Sequence, residues 1–298
     1  MRRILVPLDG SPLAETAIPY VRTLAAAGGW ELILLSVWEV LPEEIETVGP
    51  DHARSLRDHG VRYFRAYLNN VAEALERDAL EVSSEVRVGH PAIEIMLAAS
   101  EFGADLVAMA SHGRRGISQR RRGSVADKVL RGSTVPVLII GPQGLDRWPQ
   151  APASIRSILV PLDGSAESET ALPVAADIAR ATGARIALLR AVPSLLSRVD
   201  VGLPESYPPD IDVRLVKDAQ AYLKSVRARY SDLVGDAAVE RGFPAQVVLE
   251  AAERDLPDLI IMTSRSRFAG DRWALGSVAD EVIEGPVPVL LVHPAVGV

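Results

Sequence analysis

The sequence contains no cysteine, only three lysines among its 32 basic residues, and no long apolar run. The absence of cysteine excludes a disulfide framework and thiolate metal sites. A membrane-spanning helix needs about 20 consecutive apolar residues, and no segment of the chain provides them. The opening MRRILVPLDG has too short an apolar part for a signal peptide, so we expect a cytoplasmic protein without membrane partners.

The chain also lacks an excess of positive charge, since its net charge is −7. This balance argues against broad binding to nucleic acids, which are negatively charged themselves. Hydrophobic residues make up 48% of the 298 residues and charged residues 24%, an ordinary composition for a globular protein. At roughly 150 residues per domain, the length leaves room for two domains.

One octapeptide occurs twice: ILVPLDGS stands at 4–11 and again at 158–165. Further matches follow in the same order, among them GSVADKVLRGSTVPVLII (123–140) and GSVADEVIEGPVPVLLV (276–292). Repeats in a constant order indicate duplication of a whole domain. We predict domains at 1–142 and 155–298, joined by a linker at 143–154 that is rich in glycine, proline and polar residues.

Within each copy, short β-branched runs alternate with stretches of helical periodicity. In the first copy the runs RRILVPL, ELILLSV, VSSEVRV, ADLVAMA and VPVLII predict five buried strands. The stretch after the first run predicts a helix with Ser11 as N-cap, Pro12 at its first position and Gly28–Gly29 at its end. The alternation predicts an α/β fold with a five-stranded parallel sheet and helices on both faces.

Ligands of such sheets bind at the carboxyl ends of the strands, where the strand order switches. Asp9 in the first copy and Asp163 in the second follow the first strand, where a carboxylate can accept hydrogen bonds from a ribose or an adenine amine. The alternative is that Asp-Gly-Ser is only a strand–helix turn with a capping serine, and the motif alone leaves both open. At the end of the second strand, the backbone of Val37 can meet an adenine edge.

The segment MASHGRRGISQRRRGSVAD (109–127) is the third candidate. Gly123 and Ser124 place backbone N–H groups and a hydroxyl at a helix N-terminus, which favours anions. Gly113 allows close approach of the backbone to a phosphate, and His112 can contact a ligand in the same loop. The pattern is neither a Walker A loop nor G-x-G-x-x-G. The loop also contains five arginines: Arg114, Arg115, Arg120, Arg121 and Arg122. They either screen a triphosphate, contact a nucleic acid, or only reflect the preference of this chain for arginine over lysine.

No catalytic arrangement stands out in the sequence. It has no H-E-x-x-H motif, no G-x-S-x-G nucleophile elbow and no pair of carboxylates repeated in both copies. General acid–base or nucleophilic catalysis needs such groups in position. The residues therefore favour binding over catalysis.

The chain resembles the universal stress protein family in four segments: VPLDGS, SHG followed after nine residues by GS, VADKVL and VPVLII. The resemblance covers nearly the whole chain as two tandem domains. It implies a Rossmann-like, adenine nucleotide alpha hydrolase-like fold with a five-stranded parallel sheet in each. One branch of the family binds ATP through a loop written G-x-x-G-x(9)-G-[ST], so the resemblance implies an ATP-binding module of the stress response.

In copy one the first glycine of that loop falls on Ala110, the second on Gly113 and the last pair on Gly123–Ser124. By the same resemblance Asp9 matches the adenosine-contacting aspartate, and Val37 the adenine-contacting position. The implied nucleotide contacts of copy one are Pro7, Leu8, Asp9, Ser11, Val37, Met109, Ala110, His112, Gly113, Arg114, Gly123, Ser124 and Val125. We expect ATP here, with Mg²⁺ held mainly by phosphate oxygens and water.

Copy two departs further from the loop motif, since its first two glycine positions fall on Thr263 and Ser266. A Cβ at Ser266 can block close approach of a phosphate, while the closing Gly276–Ser277 is intact. Weaker nucleotide binding and an empty structural site both remain open for this copy. Its implied contacts are Pro161, Asp163, Ala191, Met262, Ser266, Gly276, Ser277 and Val278.

The closing strands VPVLII and VPVLLV bear on assembly. In the resembling family the final strand lies at the sheet edge and pairs domains, and an exposed apolar edge invites aggregation. We therefore predict an internal pseudo-dimer across an approximate two-fold axis, with a further homodimer of chains.

Three functions remain open: a nucleotide-binding regulator, an ATP-dependent hydrolase or nucleotidyl transferase, and a ligand-free interaction module.

Overall fold

The computed structural model describes residues 2–39, 50–111, 123–141, 155–192, 211–263 and 275–293. The chain divides into two compact units, Met1–Ser154 (unit 1) and Ile155–Val298 (unit 2). Both have the α/β architecture that the sequence predicts, with parallel strands separated by helices. The predicted linker, 143–154, lies outside the described residues.

Unit 1 contains a parallel sheet whose strands occur in the spatial order β3-β2-β1-β4-β5. The strands are β1 (Arg3–Pro7), β2 (Glu31–Trp38), β3 (Val82–Val88), β4 (Leu106–Ala110) and β5 (Val137–Ile140). The helices are α1 (Ile18–Gly28), α2 (Pro50–Glu76), α3 (Pro91–Glu101) and α4 (Ser124–Gly132). The chain moves from β1 outward to β3 and then returns to β4 on the other side of β1. The switch in strand order therefore lies between β1 and β4.

Unit 2 repeats this topology in the spatial order β8-β7-β6-β9-β10. Its strands are β6 (Ser157–Pro161), β7 (Arg185–Val192), β8 (Val234–Arg241), β9 (Leu259–Thr263) and β10 (Val289–Val292). Its helices are α5 (Ala166–Glu169), α6 (Ala171–Thr182), α7 (Ile211–Arg229), α8 (Pro244–Asp255) and α9 (Ser277–Val282).

The central strands form the core of unit 1, but β3 does not. Ile4, Leu5 and Val6 of β1 are fully buried. Most residues of β3 are exposed or half-buried, so the prediction of a buried strand is wrong there. The reason is its place at the end of the sheet order, where it pairs with β2 alone among the described strands.

The segment after β1 is not one continuous α-helix, contrary to the sequence prediction. Residues Ala14–Ala17 form a 3₁₀ turn and α1 begins only at Ile18. Pro19 has no N–H to donate and is tolerated only in the first helical turn, which fits a start at Ile18. Ser11 still caps: its Oγ accepts from the N–H of Ala14 at 3.2 Å. The predicted end is confirmed, because Gly29 follows α1 with a φ of 64°.

None of the helices in the described ranges combines the length and apolar character that a membrane span requires.

Candidate functional site

A cavity of about 450 Å³ opens at the carboxyl edge of the unit 1 sheet. Its walls come from the ends of β1, β2 and β4, from the first turns of α3 and α4, and from one side chain of α2. Nine residues that the sequence singled out line this cavity: Pro7, Leu8, Asp9, Val37, Met109, Ala110, Gly123, Ser124 and Val125. The cavity spans the switch in strand order, as expected for this sheet type.

Asp9 both shapes a turn and lines the cavity. Its Oδ1 accepts from the backbone N–H of Ser11 at 3.0 Å and from the Ser11 hydroxyl at 2.6 Å. Gly10, between them, has a φ of 77°, a conformation that favours glycine. Ser11 itself is buried beneath the turn, not part of the lining. The two interpretations of the Asp-Gly-Ser motif are therefore compatible, because one oxygen of Asp9 serves the turn while the residue borders the cavity.

The N-terminus of α4 faces the same cavity through Gly123, Ser124 and Val125. The N–H of Gly123 donates to the carbonyl of Ser111 at 2.8 Å, which closes the base of the connection from β4. The N–H groups of the next residues belong to the first helical turn, where no intrahelical acceptor is available. This end of the cavity therefore offers backbone donors and the positive end of a helix dipole.

Sequence reasoning missed part of the lining, including two aromatic residues. Trp38 ends β2 and meets the ring of Phe64 from α2 edge to face, with the centroids 6.1 Å apart. Phe64 is only 2% exposed, so its ring belongs to the core as well as to the cavity wall. The other lining residues without a sequence prediction are Ala14, Leu35, Glu39, His90, Pro91, Ile95, Ser111 and Ala126. The connection from β3 to α3 lies at the carboxyl edge of the sheet, and this placement is the signal that points to His90 and Pro91.

Four predicted contacts fall outside the described residues: His112, Gly113, Arg114 and Ser266. The same holds for the remaining loop arginines, Arg115, Arg120, Arg121 and Arg122. Their roles stay predictions.

A family model supplies the decisive comparison: the one described as the universal stress protein family matches residues 1–141 and 154–293. The chain belongs to this family. A universal stress protein of Thermus aquaticus is 34% identical over 146 residues, covering 46% of this chain and 98% of the relative. Another, from Methanocaldococcus jannaschii, is 27% identical over 152 residues, covering 47% of this chain and 94% of the relative. Both relatives thus correspond in length to about half of the chain.

A solved universal stress protein from Archaeoglobus fulgidus matches along almost the whole chain. It has a TM-score of 0.70 at 21% identity and covers 98% of both chains. At that identity the similarity concerns the fold, which in both proteins extends across the two repeats.

Unit 2 of this universal stress protein has the same Asp-Gly-Ser turn as unit 1, but different side chains lie around it. Asp163 Oδ1 accepts from the N–H and the hydroxyl of Ser165, and Gly164 has a φ of 84°. The other described candidates of this unit lie at the same carboxyl edge, at the ends of β6, β7 and β9 and the start of α9: Pro161, Ala191, Met262, Gly276, Ser277 and Val278.

Arg190 is the main difference between the two edges. It stands in β7 where β2 has Ser36, a fully buried residue whose hydroxyl donates to the Leu8 carbonyl at 2.7 Å. The Arg190 guanidinium lies over the ring of Tyr222, with Cζ 4.8 Å from the centroid. A side chain at Gly164 would come within 2.9 Å of that Cζ, so the cation lies directly against the Asp-Gly-Ser turn.

The aromatic wall of unit 1 is also absent from the matching position of unit 2. Alignment of Tyr67-Leu68 with Tyr222-Leu223 places the buried Ala219 where unit 1 has Phe64. Val192 stands in place of Trp38. Unit 2 thus has a cation and small aliphatic side chains where unit 1 has two aromatic rings and a small serine.

In unit 1 a tyrosine contacts a glutamate beside the turn. The Tyr67 hydroxyl donates to Glu15 Oε1 at 2.9 Å. Burial, followed by this hydrogen bond, raises the pKa of Tyr67 well above its usual range. In unit 2 burial, and after it the nearby Glu169 carboxylate, raises the pKa of Tyr222, although its buried hydroxyl has no hydrogen-bond partner among the described residues. The unit 1 contact joins α2 to the segment after β1.

We expect the two phenols to make stability fall at high pH. A phenol whose pKa is higher in the folded than in the unfolded chain stabilises fully below about pH 10, and this contribution is lost as the pH rises through the folded-state value. The double variant Tyr67→Phe, Tyr222→Phe should therefore show a shallower decline in unfolding free energy above pH 10 than the wild type. Denaturant titrations at several pH values measure this, with the half-exposed Tyr63→Phe as control. An unchanged decline in the double variant would contradict the assignment.

Proposed function

We propose that the chain is a nucleotide-binding module of the stress response and that unit 1 holds ATP in its cavity. One observation carries this proposal: nine of the residues that the family resemblance implies as nucleotide contacts line one cavity of about 450 Å³. That volume is within the range of about 300–1,000 Å³ usual for small-molecule sites. Family membership supports the stress-response role, and the cavity supports the nucleotide.

The parts of a nucleotide match the parts of the cavity. Leu35, Val37 and Met109 offer an apolar slot for a base near the ends of β2 and β4. Asp9 offers a carboxylate to the ribose hydroxyls. The first turn of α4 offers N–H groups and the Ser124 hydroxyl to the phosphates.

Any Mg²⁺ that accompanies the triphosphate is proposed to rest on phosphate oxygens and water, as is usual for this ion. Within the described ranges no group of three His, Cys, Asp or Glu side chains could hold a metal ion. The mostly apolar lining favours holding the nucleotide over transforming it. We therefore propose a regulatory role, with hydrolysis slow at most.

We further propose that unit 2 does not repeat this site. Arg190 lies against the Asp-Gly-Ser turn, where its stacking on Tyr222 gives the edge a fixed positive charge. Ala219 and Val192 remove the two aromatic rings that border the cavity of unit 1. An adenosine that fits the first edge therefore meets a different shape and charge at the second.

The test is to quantify bound nucleotide. The chain is purified without added nucleotide, denatured, and the released small molecules are identified by mass spectrometry, followed by calorimetric titration of the stripped protein with ATP. We expect about one ATP per chain, because one edge retains the lining. Two ATP per chain would contradict the proposal for unit 2. No released nucleotide and no heat of ATP binding would overturn the ATP site and favour a ligand-free interaction module.

A further inference from the structure

A groove of about 390 Å³ lies between α1 and α2 of unit 1. It shares no lining residue with the cavity at the carboxyl edge of the sheet. Its lining combines the apolar side chains of Ile18 and Val71 with the polar groups of Glu15, Tyr67 and Asn70. What this groove binds is therefore a separate question from the proposed nucleotide site.

The carboxylate of Glu15 has a partner at only one of its two oxygens. Glu15 belongs to the 3₁₀ turn before α1, and its Oε1 accepts from the Tyr67 hydroxyl at 2.9 Å. Its Oε2 accepts no hydrogen bond from the described residues and is not one of their buried unpartnered atoms, so solvent reaches it. Arg22, which also lines the groove, pairs with Asp78 at 2.6 Å. Glu15 thus offers the groove a negative charge and an accessible acceptor.

Unit 2 fills the corresponding place with an arginine of its own. The segment ETAIP (15–19) aligns with ETALP (169–173), and the alignment of α2 with α7 given above places Ala74 opposite Arg229. The Arg229 guanidinium donates to Oε2 of Glu169 at 2.6 Å. The methyl group of Ala74 cannot make this contact. The same carboxylate that holds a guanidinium in unit 2 therefore borders an open groove in unit 1.

The chemistry of the groove favours a guanidinium over an ammonium ion. The planar fork of a guanidinium matches the two oxygens of a carboxylate, and it is more weakly hydrated than an ammonium ion. An alkyl stem can lie along apolar surface such as that of Ile18 and Val71 while the charged end reaches Glu15. We propose that this groove is a binding site for an alkylguanidinium group and that Glu15 is the anion that holds it.

Two sources carry this group: free amines derived from arginine, and the arginine side chains of peptides. The test follows backbone amide shifts of the isotope-labelled full chain by NMR during titration with agmatine and with N-acetylarginine amide, one probe for each source. N-acetylcitrulline amide is the control that keeps the shape without the charge, and N-acetyllysine amide carries an ammonium instead. The source whose probe binds more tightly is the one that the groove prefers.

We expect millimolar dissociation constants for both guanidinium probes, because a partly exposed ion pair contributes little by itself. The shifts should centre on Glu15 and on the side of α2 that faces the groove. The citrulline control should bind about tenfold more weakly, the effect of losing a hydrogen bond to a charged group. The lysine control should also bind more weakly than its arginine counterpart, since it lacks the planar fork.

Two variants test the role assigned to Glu15. Glu15→Gln keeps an acceptor for the Tyr67 hydroxyl but removes the charge, so it should weaken both guanidinium probes about tenfold. Ala74→Arg copies unit 2 and should abolish binding, because its own guanidinium then occupies the place of the ligand. The matched control, Ala228→Arg, adds the same charge at an exposed position of α7 and should leave both dissociation constants unchanged.

Three outcomes would overturn the inference. Equal affinity for the arginine and citrulline probes would show that the charge is not recognised. Unchanged affinity in both Glu15→Gln and Ala74→Arg would place the binding elsewhere on the chain. A wild type without shifts at this groove would remove the site. None of these results decides the proposed ATP site, which is tested by its own titration at a different set of residues.

Discussion

Replacing Phe64 with alanine is expected to lower the free energy of unfolding of unit 1 by about 3–5 kcal/mol, the usual cost of removing a buried aromatic side chain. Phe64 is 2% exposed and meets Trp38 and Tyr63 edge to face, with centroids 6.1 and 5.6 Å away. Truncation removes these contacts and enlarges a cavity that is already open beside the ring. The neighbouring backbone is held by the β2 ladder and by α2, so the space can collapse only in part.

Hydrogen exchange measures this effect separately in each unit, because exchange of buried strand amides reports on the stability of the structure around them. Amides of β1 and β2 should lose protection in Phe64→Ala, while those of β6 and β7 should keep it. The matched control is Phe243→Ala, the same chemical change at a side chain that is 64% exposed. Equal loss in the two variants would show that Phe64 contributes no more than a surface aromatic residue.

Asp9→Ala is expected to weaken ATP binding by roughly tenfold to a hundredfold. Loss of a hydrogen bond to a charged group costs about 1.5–3 kcal/mol, and about 1.4 kcal/mol corresponds to a factor of ten. Asp9 borders the cavity, so its carboxylate is the group proposed to meet the ribose. Calorimetric titration with ATP measures the change directly.

Asp163→Ala is the matched control for this variant. Both aspartates accept the same two hydrogen bonds from the serine two residues later, so both substitutions remove the same turn contacts. They differ in that Asp9 borders the unit 1 cavity. We expect similar losses of stability from the two variants and loss of ATP affinity from the first alone. Equal loss of affinity would indicate that both edges bind nucleotide, and no loss in either would remove Asp9 from the site.

Much of the fold could be predicted because apolar runs and an exact internal repeat identify strands with little ambiguity. The run VSSEVRV shows where this reasoning ends: it predicts the bounds of β3 correctly, but the exposure of β3 depends on its place in the sheet, which the sequence of one strand does not contain. The 3₁₀ turn before α1 was missed for a local reason, since Pro19 restricts where the helix begins.

The candidate site was predictable only in part, for a related reason. Strand ends such as Pro7 and Ala110 reach the carboxyl edge by topology alone, and motif spacing identifies them. Phe64 and His90 reach the same cavity from α2 and from the connection between β3 and α3. Helical periodicity tells which face of α2 is buried, but not which turn of it stands beside the switch in strand order.

The contrast between Ser36 and Arg190 has a consequence for how the chain would respond to changing nucleotide levels. If the unit 1 edge binds nucleotide and the unit 2 edge does not, a single chain has no second equivalent site. The fraction of chains with bound nucleotide should then follow a simple hyperbola as the nucleotide concentration rises. A sigmoidal response would then require coupling between separate chains, because cooperativity needs at least two linked sites. The duplicated architecture would thus give a graded sensor, and any switch-like behaviour would have to arise from assembly.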